Sequence, residues 1–404
     1  MSLALANTVY PVPRGWQVCT VDEIKATEPH SCVAGPFGSK ISSKYFVDEG
    51  VPVIRGSNLR DDLTRFIPDG FAFVSEARAQ EYRPQHVRGG DLVFTCWGTI
   101  GQVGIIPEDG PYPEYIISNK QLKLRVDSSV ADSTFCFYYF ASPRCVEYIR
   151  NRGIGGAVPG INLGILKSLR IALPPLSVQK QIADILTVYD DLIDNNRRRM
   201  ALLGEAARQL YREWFVRLRF PGHEHTRITN GVPEGWERAP FETAMVLQRG
   251  FDLPIQDREA GDVPIYGSTG VSGFHSKAKV GGPGVVTGRS GTLGEVHYVQ
   301  EDFWPLNTSL WVKEFRKVDP LFAVFLMREM DLKQYNAGVS VPTLDRKTIH
   351  RREILIPPKK LLSLFDDFAA PLFRQVTSLA AQVEKLSAAR ALLLPRLMSG
   401  EIRV

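Results

Sequence analysis

The sequence predicts a mixed α/β (α+β) fold: two copies of one domain, each followed by a long helix. Three observations lead to this fold class: motifs of the first half return in the second, short β-type runs fill the front of each copy, and a long apolar stripe fills the back. The two helices are expected to pair as an antiparallel coiled coil. We assign residues 1–175 to a first domain, 176–220 to a first helix, 221–358 to a second domain with its linker, and 359–404 to a second helix and tail.

The composition is that of an ordinary globular protein. The 404 residues are 44% hydrophobic and 23% charged, which excludes collagen-like and wholly disordered classes. This length predicts two to four domains. Lys and Arg number 49 against 44 Asp and Glu, so the net charge of +5 permits nucleic-acid binding without indicating it.

The cysteine pattern indicates a reducing compartment. All five cysteines lie within the first 145 residues, and no two form a Cys-x-x-Cys pair. Reduced thiols in a cytoplasmic protein are therefore favoured over disulfides or a zinc site. The first residues lack a basic segment followed by an apolar core, and no run approaches 18 apolar residues. We expect neither a signal peptide nor contact with a membrane.

The internal repeat is the most informative feature. Val-Pro-x-Gly-Trp occurs at 12–16 and 232–236, Gly-Thr-x-Gly at 98–101 and 291–294, and Val-Pro at 158–159 and 341–342. The offset between copies falls from 220 to 183 along the chain. We interpret the second copy as the same unit with about 37 residues lost from loops, which tolerate such changes.

The front part of each copy is predicted to form short strands. Runs rich in β-branched residues, separated by Gly and Pro, occur at 51–54, 91–94, 121–126, 285–287 and 309–312. Helices are expected at 133–142 and 320–329. Strands and helices together indicate a mixed α/β unit.

The back part of each copy carries apolar residues at spacings of three and four, typical of a long helix. The first helix is expected to follow Pro175 with Ser177 as its N-cap. Its stripe is Ile182, Ile185, Tyr189, Leu192, Asn196, Met200, Leu203, Leu210 and Trp214. The second stripe is Leu361, Phe365, Phe368, Leu372, Val376, Leu379, Val383, Leu386, Leu393 and Leu397.

Two prolines interrupt the second stripe, since Pro371 should kink the helix and Pro395 should end or bend it. Neither stripe is stable in water, so the helices should pack on each other. The alternative is that each helix covers only its own domain.

These motifs resemble one known family. The Val-Pro-x-Gly-Trp openings, Gly-Pro-Phe-Gly-Ser at 35–39, Val-Pro-Val-Ile-Arg-Gly-Ser-Asn at 51–58, Ile-x-Leu-Pro-Pro-Leu at 171–176 and the ending at 392–402 stand in the order found in that family. Each motif alone is modest, but their order and duplication are specific. The chain resembles the specificity subunit of a type I restriction–modification enzyme.

The resemblance implies a non-catalytic protein with two target recognition domains. Each domain would read one half of a split double-stranded DNA target, and the paired helices would hold the domains apart. Two methyltransferase (modification) subunits would dock on the helices and bind S-adenosylmethionine, and restriction (translocase) subunits would join later. No cofactor or metal is expected on this chain itself. A longer first helix, extended near Asn195, should then lengthen the spacer between the half-sites.

DNA contacts are expected from loop residues with polar or basic side chains, because Arg and Lys suit phosphates and guanine while Asn and Gln suit adenine. In the first domain the candidates are Lys40, Ser42, Ser43, Lys44, Arg55, Ser57, Asn58, Arg60, Trp97, Thr99, Gln102, Asn119 and Lys120. In the second they are Arg249, Arg258, Tyr266, Ser268, Thr269, His275, Lys277, Lys279, Arg289, Ser290, Thr292, Asn307 and Thr308.

Catalytic motifs are absent from the sequence. It has no Asn/Asp-Pro-Pro-Tyr/Phe motif for a flipped adenine, and the glycine-rich stretch at 98–104 lacks the Lys-Ser/Thr of a phosphate-binding loop. We interpret that stretch as a tight turn that can bring backbone close to DNA. Three alternatives stay open: the recognition subunit of a related fused methyltransferase–nuclease, a coiled-coil scaffold that binds protein or glycan, and a self-sufficient methyltransferase.

Overall fold

A computed structural model describes residues 8–38, 40–154, 160–338 and 340–404. Position 39 of the Gly-Pro-Phe-Gly-Ser motif, the Val-Pro pair at 158–159 and the first seven residues, where we expect no signal peptide, lie outside the described residues. Contacts divide the chain into two compact units. The first unit comprises residues 1–195 and 382–404, and the second comprises 196–381.

The first unit contains eleven named strands among its described residues. They are β1 (Gln17–Thr20), β2 (Cys32–Ala34), β3 (Phe46–Val47), β4 (Val51–Ile54), β5 (Ala72–Val74), β6 (His86–Val87), β7 (Leu92–Thr95), β8 (Val103–Ile105), β9 (Tyr115–Ile117), β10 (Gln121–Leu124) and β11 (Arg170–Leu173). They form a four-stranded sheet in the order β2-β10-β7-β8, a five-stranded sheet in the order β3-β5-β4-β9-β6, and the pair β1-β11.

Helices cover these sheets. They are α1 (Val21–Ile24), α2 (Glu76–Gln80), α3 (Ser133–Ala141), α4 (Pro143–Arg150), α5 (Leu163–Ser168) and the long α6 (Leu176–Tyr211), with 3₁₀ turns at Ser43–Tyr45, Gly56–Asn58 and Arg83–Gln85. Helix α3 matches the predicted helix at 133–142. Its residues from Phe135 onward are buried on every side, so it forms the centre of the core of the first unit.

The second unit repeats this plan, again with eleven named strands among its described residues. Its strands are β12 (Ile228–Thr229), β13 (Val232–Pro233), β14 (Glu237–Pro240), β15 (Met245–Arg249), β16 (Val263–Gly267), β17 (Gly270–His275), β18 (Gly284–Gly288), β19 (Val296–Val299), β20 (Trp304–Pro305), β21 (Ser309–Phe315) and β22 (Glu353–Ile356). Its helices are α7 (Phe241–Ala244), α8 (Pro320–Glu329), α9 (Arg346–His350) and the long α10 (Lys359–Met398), with 3₁₀ turns at His223–His225, Ile255–Asp257 and Leu332–Tyr335.

The strand order shows that the domain is duplicated. The sheet β15-β21-β18-β19 has the order of β2-β10-β7-β8, and the parallel pair β16-β20 corresponds to the parallel pair β4-β9. The prediction that only loops were lost is wrong. The sheet around β16 has three strands where the sheet around β4 has five, because among its described residues it has no strand that corresponds to β3, and the interval that holds β5 and β6 in the first copy holds only the hairpin strand β17.

The two long helices run antiparallel, which confirms the predicted fold class. In the first unit Asp190 of α6 pairs with Arg390 of α10. In the second unit the ring of Trp214, in the π-helical turn Arg212–Val216 that continues α6, contacts Phe365 and Phe368 of α10. The earlier contact residue on α6 therefore meets the later one on α10, and the later one meets the earlier, as expected for antiparallel helices.

Three details of the helices differ from the predictions. Helix α6 begins at Leu176, so Ser177 lies inside it, and the Pro175 carbonyl accepts the first backbone hydrogen bonds instead. Helix α10 is continuous through Pro371 and Pro395. The buried residues Phe365 and Ala369 before Pro371, and Leu394 and Leu397 around Pro395, hold the helix by packing where the prolines remove a backbone donor.

The apolar stripe of α6 also differs from the prediction. Leu192 is exposed, whereas Asp190 and Ile193 are buried. The carboxylate of Asp190 takes a position that a hydrophobic residue would normally occupy, because it pairs with Arg390 and accepts a hydrogen bond from the Tyr138 hydroxyl of α3. The guanidinium of Arg390 also donates to the Asp62 carbonyl at 3.1 Å. This buried polar cluster joins α3, α6, α10 and the loop at residue 62 within the first unit.

Two further carboxylates of α6 also pair with an arginine. The guanidinium of Arg65 lies 2.5 Å from Asp191 and 3.7 Å from Asp194. These exposed pairs connect the loop after β4 with the helix.

We predict that Arg390→Ala lowers the free energy of unfolding of the first unit by about 3 kcal/mol, because it leaves the Asp190 carboxylate buried without its cation. The double variant Asp190→Asn with Arg390→Met should recover most of the loss. Arg396→Ala is the matched control, since the Arg396–Glu401 pair is exposed and should contribute less than about 1 kcal/mol. Urea unfolding measures all three, and equal small losses for Arg390→Ala and Arg396→Ala would contradict the prediction.

Candidate nucleic-acid interface

In the first unit, sheet register brings the predicted loops to one edge. The end of β2 pairs with the start of β10 through Ala34 and Leu122, and the end of β7 pairs with the same start through Thr95 and Gln121. The start of β8 pairs with the end of β7. Loops that leave or enter these four strand ends therefore lie side by side.

The loop after β4 joins the same edge. Strands β4 and β9 are parallel, and the Ser118 amide, just beyond β9, donates to the Ile54 carbonyl at 3.1 Å. Backbone bonds from Gly35 to Gln121 and from Cys96 to Lys120 connect the remaining loops. We define the first edge as residues 35–38, 40–45, 55–62, 96–102 and 118–120.

Every first-domain candidate lies on the first edge, and most are exposed. The exposed members are Lys40, Ser43, Lys44, Ser57, Arg60, Trp97, Thr99, Asn119 and Lys120, while Ser42, Arg55 and Gln102 are half-buried. Phe37, which was not among the candidates, is 90% exposed at this edge. The edge therefore combines basic, polar and aromatic groups.

The position of Asn58 contradicts the prediction that this residue contacts DNA. Its side chain is fully buried, and its amide donates to the carbonyls of Ile67 and Asp69 while its oxygen accepts from the Arg55 amide. All of its hydrogen-bonding capacity holds the loop in shape. Gln102 is engaged similarly, since its amide donates to the Leu59 carbonyl.

Two arginines that the sequence analysis missed support this edge. The guanidinium of Arg78 in α2 donates to the Lys40 carbonyl at 2.9 Å and lies 4.1 Å from the Tyr45 ring centre. Arg150, at the end of α4, donates to the Ile100 carbonyl at 2.9 Å and pairs with Asp61 at 3.1 Å. Neither arginine is near the edge loops in sequence, so no local pattern could have identified it.

The second unit builds an equivalent edge. Arg249 at the end of β15 pairs with Leu310, Gly288 at the end of β18 pairs with Ser309, and β19 starts opposite the end of β18. The Leu306 amide donates to the Tyr266 carbonyl, so the end of β16 lies beside them. We define the second edge as residues 249–254, 267–269, 289–294 and 306–308.

Arginine dominates the charge of the second edge. Burial, and secondarily the positive charge of Arg249, lowers the pKa of the Arg289 guanidinium. Its Nε donates to the Asn307 carbonyl at 2.9 Å, and its amide donates to the Thr308 carbonyl. Asp252 lies 3.9 Å from Arg249 and accepts a hydrogen bond from the Asn307 amide. The candidates Arg249, Ser268, Thr269, Arg289, Ser290, Thr292, Asn307 and Thr308 all lie on this edge.

Several second-domain candidates do not reach the edge. His275 pairs with Val263, at the far end of the β16–β17 hairpin, where it is buried and accepts a hydrogen bond from the Glu259 amide. Lys277 pairs with Glu259 at 3.5 Å.

The other three are held by neighbours within the unit. The side chain of Arg258 donates to the Ser272 carbonyl, and the Tyr266 ring is buried against Phe303. The ammonium of Lys279 lies 5.3 Å from the Phe251 ring centre. The expectation of DNA contact is therefore withdrawn for the buried side chains of Asn58, Tyr266 and His275.

Other kinds of site were sought in the part of the chain that the structure describes. No cluster of three or more His, Cys, Asp or Glu side chains could hold a metal ion there. No described helix is both long and apolar enough to cross a membrane.

Comparisons with known proteins show which proteins this chain is similar to. Residues 34–203 match the family described as the type I restriction modification DNA specificity domain. The chain is 23% identical to the MjaIX type I restriction enzyme specificity subunit of Methanocaldococcus jannaschii, over 97% of this chain and 95% of that protein. It is 19% identical to the HindI specificity subunit of Haemophilus influenzae, over 73% of this chain and 83% of that one.

The fold is also similar to a solved structure. The crystal structure of the type I restriction–modification S subunit from M. genitalium superposes with a TM-score of 0.62 at 15% identity, covering 97% of this chain and 99% of that one. Residues 34–203 thus carry the family's DNA specificity domain, and over nearly its whole length the chain is similar to type I restriction–modification specificity subunits. The relatives are named as specificity subunits of type I restriction enzymes, and the matched domain is described as a DNA specificity domain.

We predict that Asn58→Ala destabilises the first unit by about 1–3 kcal/mol, because the buried Asn58 side chain no longer bonds the Ile67 and Asp69 carbonyls and the Arg55 amide. Ser57→Ala, at the exposed neighbouring position, should change unfolding by less than about 0.5 kcal/mol. Thermal or urea unfolding of the two variants tests the structural role. An unchanged stability in Asn58→Ala would return this residue to the list of DNA contacts.

Proposed function

We propose that this chain reads a bipartite DNA target, with the first edge contacting one half-site and the second edge contacting the other. The observation that carries the proposal is the duplication of one edge architecture with different side chains. The first edge offers Lys40, Lys44 and Trp97, whereas the second offers Arg249 and Arg289. Two similar scaffolds with different contact groups suit two different sequences.

The long helices are proposed to set the spacer. Helix α6 runs without a break from Leu176 to Tyr211 and contributes its first part to the first unit and its last part to the second. At about 1.5 Å per residue, its 36 residues span about 54 Å, more than the roughly 34 Å of one DNA turn. A helix pair of this length suits the separation of two half-sites.

The remaining partners follow from the family. Two methyltransferase subunits are proposed to dock on the helices and to carry S-adenosylmethionine, and restriction subunits are proposed to join that assembly. The chain itself is proposed to bind no cofactor and to act in the cytoplasm. Exposed apolar side chains on the helices, among them Val188, Leu202 and Leu392, support a docking role.

We predict that methyladenine mapping, in cells that hold this chain and its neighbouring methyltransferase, shows a split motif that disappears when this chain is deleted. Arg289→Ala should alter only one half of the motif, because Arg289 belongs to the second edge alone. Lys313→Ala, on β21 away from the edge, is the matched control and should leave the motif unchanged. A continuous motif would contradict the proposal of a bipartite target. Methylation that persists without the chain would contradict the proposal that this chain recognises the DNA.

We predict that four residues inserted into both helices, after Asn195 in α6 and after Lys385 in α10, lengthen the spacer by about two base pairs. Four residues add about 6 Å, and each base pair occupies about 3.4 Å. Inserting in both helices keeps their antiparallel pairing in register, and four residues inserted in α6 alone serve as the comparison. The two half-sequences should be unchanged in the mapped motif. An unchanged spacer in the double insertion would contradict a measuring role for the helices.

A further inference from the structure

One turn has the same backbone conformation in both copies. It is the Gly-Thr-x-Gly turn at 98–101 and 291–294. The first glycines, Gly98 and Gly291, have φ of 86° and 90°, and the second glycines, Gly101 and Gly294, have φ of 100° and 94°. Only glycine adopts such angles without strain, so each turn depends on both of its glycines.

The hydrogen bonds around the turn are also duplicated. The amide before the turn donates across the edge, from Cys96 to Lys120 in the first copy and from Arg289 to Thr308 in the second. The matching carbonyls of Cys96 and Arg289 accept from Ile161 and Leu344. Each turn is therefore held in the same place on its edge.

A basic side chain packs on the second glycine of each turn. A Cβ atom added to Gly101 would lie 3.2 Å from Nε of Arg150, and one added to Gly294 would lie 3.0 Å from Cε of Lys333. Arg150 and Lys333 stand at the same offset of 183 that relates the Val-Pro motifs. The threonines within the turns, Thr99 and Thr292, are both exposed.

The neighbouring residues, by contrast, differ between the copies. Cys96 and Trp97 precede the first turn, whereas Arg289 and Ser290 precede the second. Features that differ can distinguish two half-sites. Features that both copies share cannot distinguish two half-sites. They are suited to bind the sugar–phosphate backbone, which is the same in every DNA sequence.

We propose that each Gly-Thr-x-Gly turn, with its basic partner Arg150 or Lys333, is a contact to the phosphate backbone of DNA. This inference rests on the proposed function. Phosphate oxygens accept hydrogen bonds from threonine hydroxyls and from ammonium or guanidinium groups, and the exposed side chains of Thr292, Lys333 and Arg150 offer such groups. The turns position each unit on the duplex, while the surrounding loops read bases.

The test uses the assembled complex of this chain with its methyltransferase subunits. Affinity is measured at several salt concentrations for a duplex that carries the mapped target and for a duplex with both half-sites scrambled. We expect Lys333→Gln and Thr292→Val to weaken binding to both duplexes by the same factor. Lys333→Gln should also lower the slope of log affinity against log salt by about one. Lys313→Gln, an exposed lysine of β21 away from the turn, is the matched control and should change neither quantity.

Phosphate-ethylation interference on the target duplex locates the contact. In the wild type, essential phosphates should occur beside each half-site. Lys333→Gln should remove the requirement beside one half-site and Arg150→Gln beside the other. A changed methylation motif with an unchanged salt slope would assign these residues to base reading instead, and unchanged binding in all turn variants would leave the turn a structural element; either outcome overturns the proposal. Absence of salt-dependent DNA binding by the wild-type complex would instead overturn the proposed function on which it rests.

Discussion

The hydrogen-bond register of the four-stranded sheet in each unit is the constraint on which the candidate interface depends. Because the ends of β2 and β7 face the starts of β10 and β8, loop residues as far apart in sequence as Gly38 and Asn119 lie next to each other. A shift of one residue in this register would move every side chain of the strand to the opposite face of the sheet. The sheet β15-β21-β18-β19 imposes the same arrangement on the second unit. The two edges therefore share one design and are not two unrelated surfaces.

Buried polar groups join each edge to the rest of its unit. In the first unit, Arg390 connects α10 with Asp190 of α6 and with the Asp62 carbonyl, and Arg65 connects the same loop with Asp191. This loop of the first edge is exposed at residues 60–62, so the charged side chains at its base restrict its movement. The same residues fix the register of the helices, because a buried ion pair is costly to separate. In this unit the same side chains therefore stabilise the helix pair and position the loop after β4.

Much of the candidate interface could be predicted from sequence because polar loop residues between short strands carry a local pattern. All first-domain candidates lie on the first edge, and eight of the thirteen second-domain candidates lie on the second. The buried positions could not be predicted. In the sequence Asn58 does not differ from an exposed loop asparagine, because its hydrogen bonds to the Ile67 and Asp69 carbonyls form only in the folded chain. Arg78 and Arg150 were missed for the converse reason. They sit on helices and reach the edge only through the fold.

Motif order and apolar spacing are properties of the chain alone, so the duplication, the mixed α/β class, the two long helices and the resemblance to specificity subunits could be predicted from the sequence. Tertiary structure decided which residues meet. Burial of Asp190 displaced Leu192 from the apolar stripe of α6, since a carboxylate can occupy such a position only when a cation from a distant segment reaches it. The matching turns at Gly98 and Gly291 were visible as a motif, but their identical φ angles and their basic partners depend on backbone geometry and on side chains that lie far away in sequence.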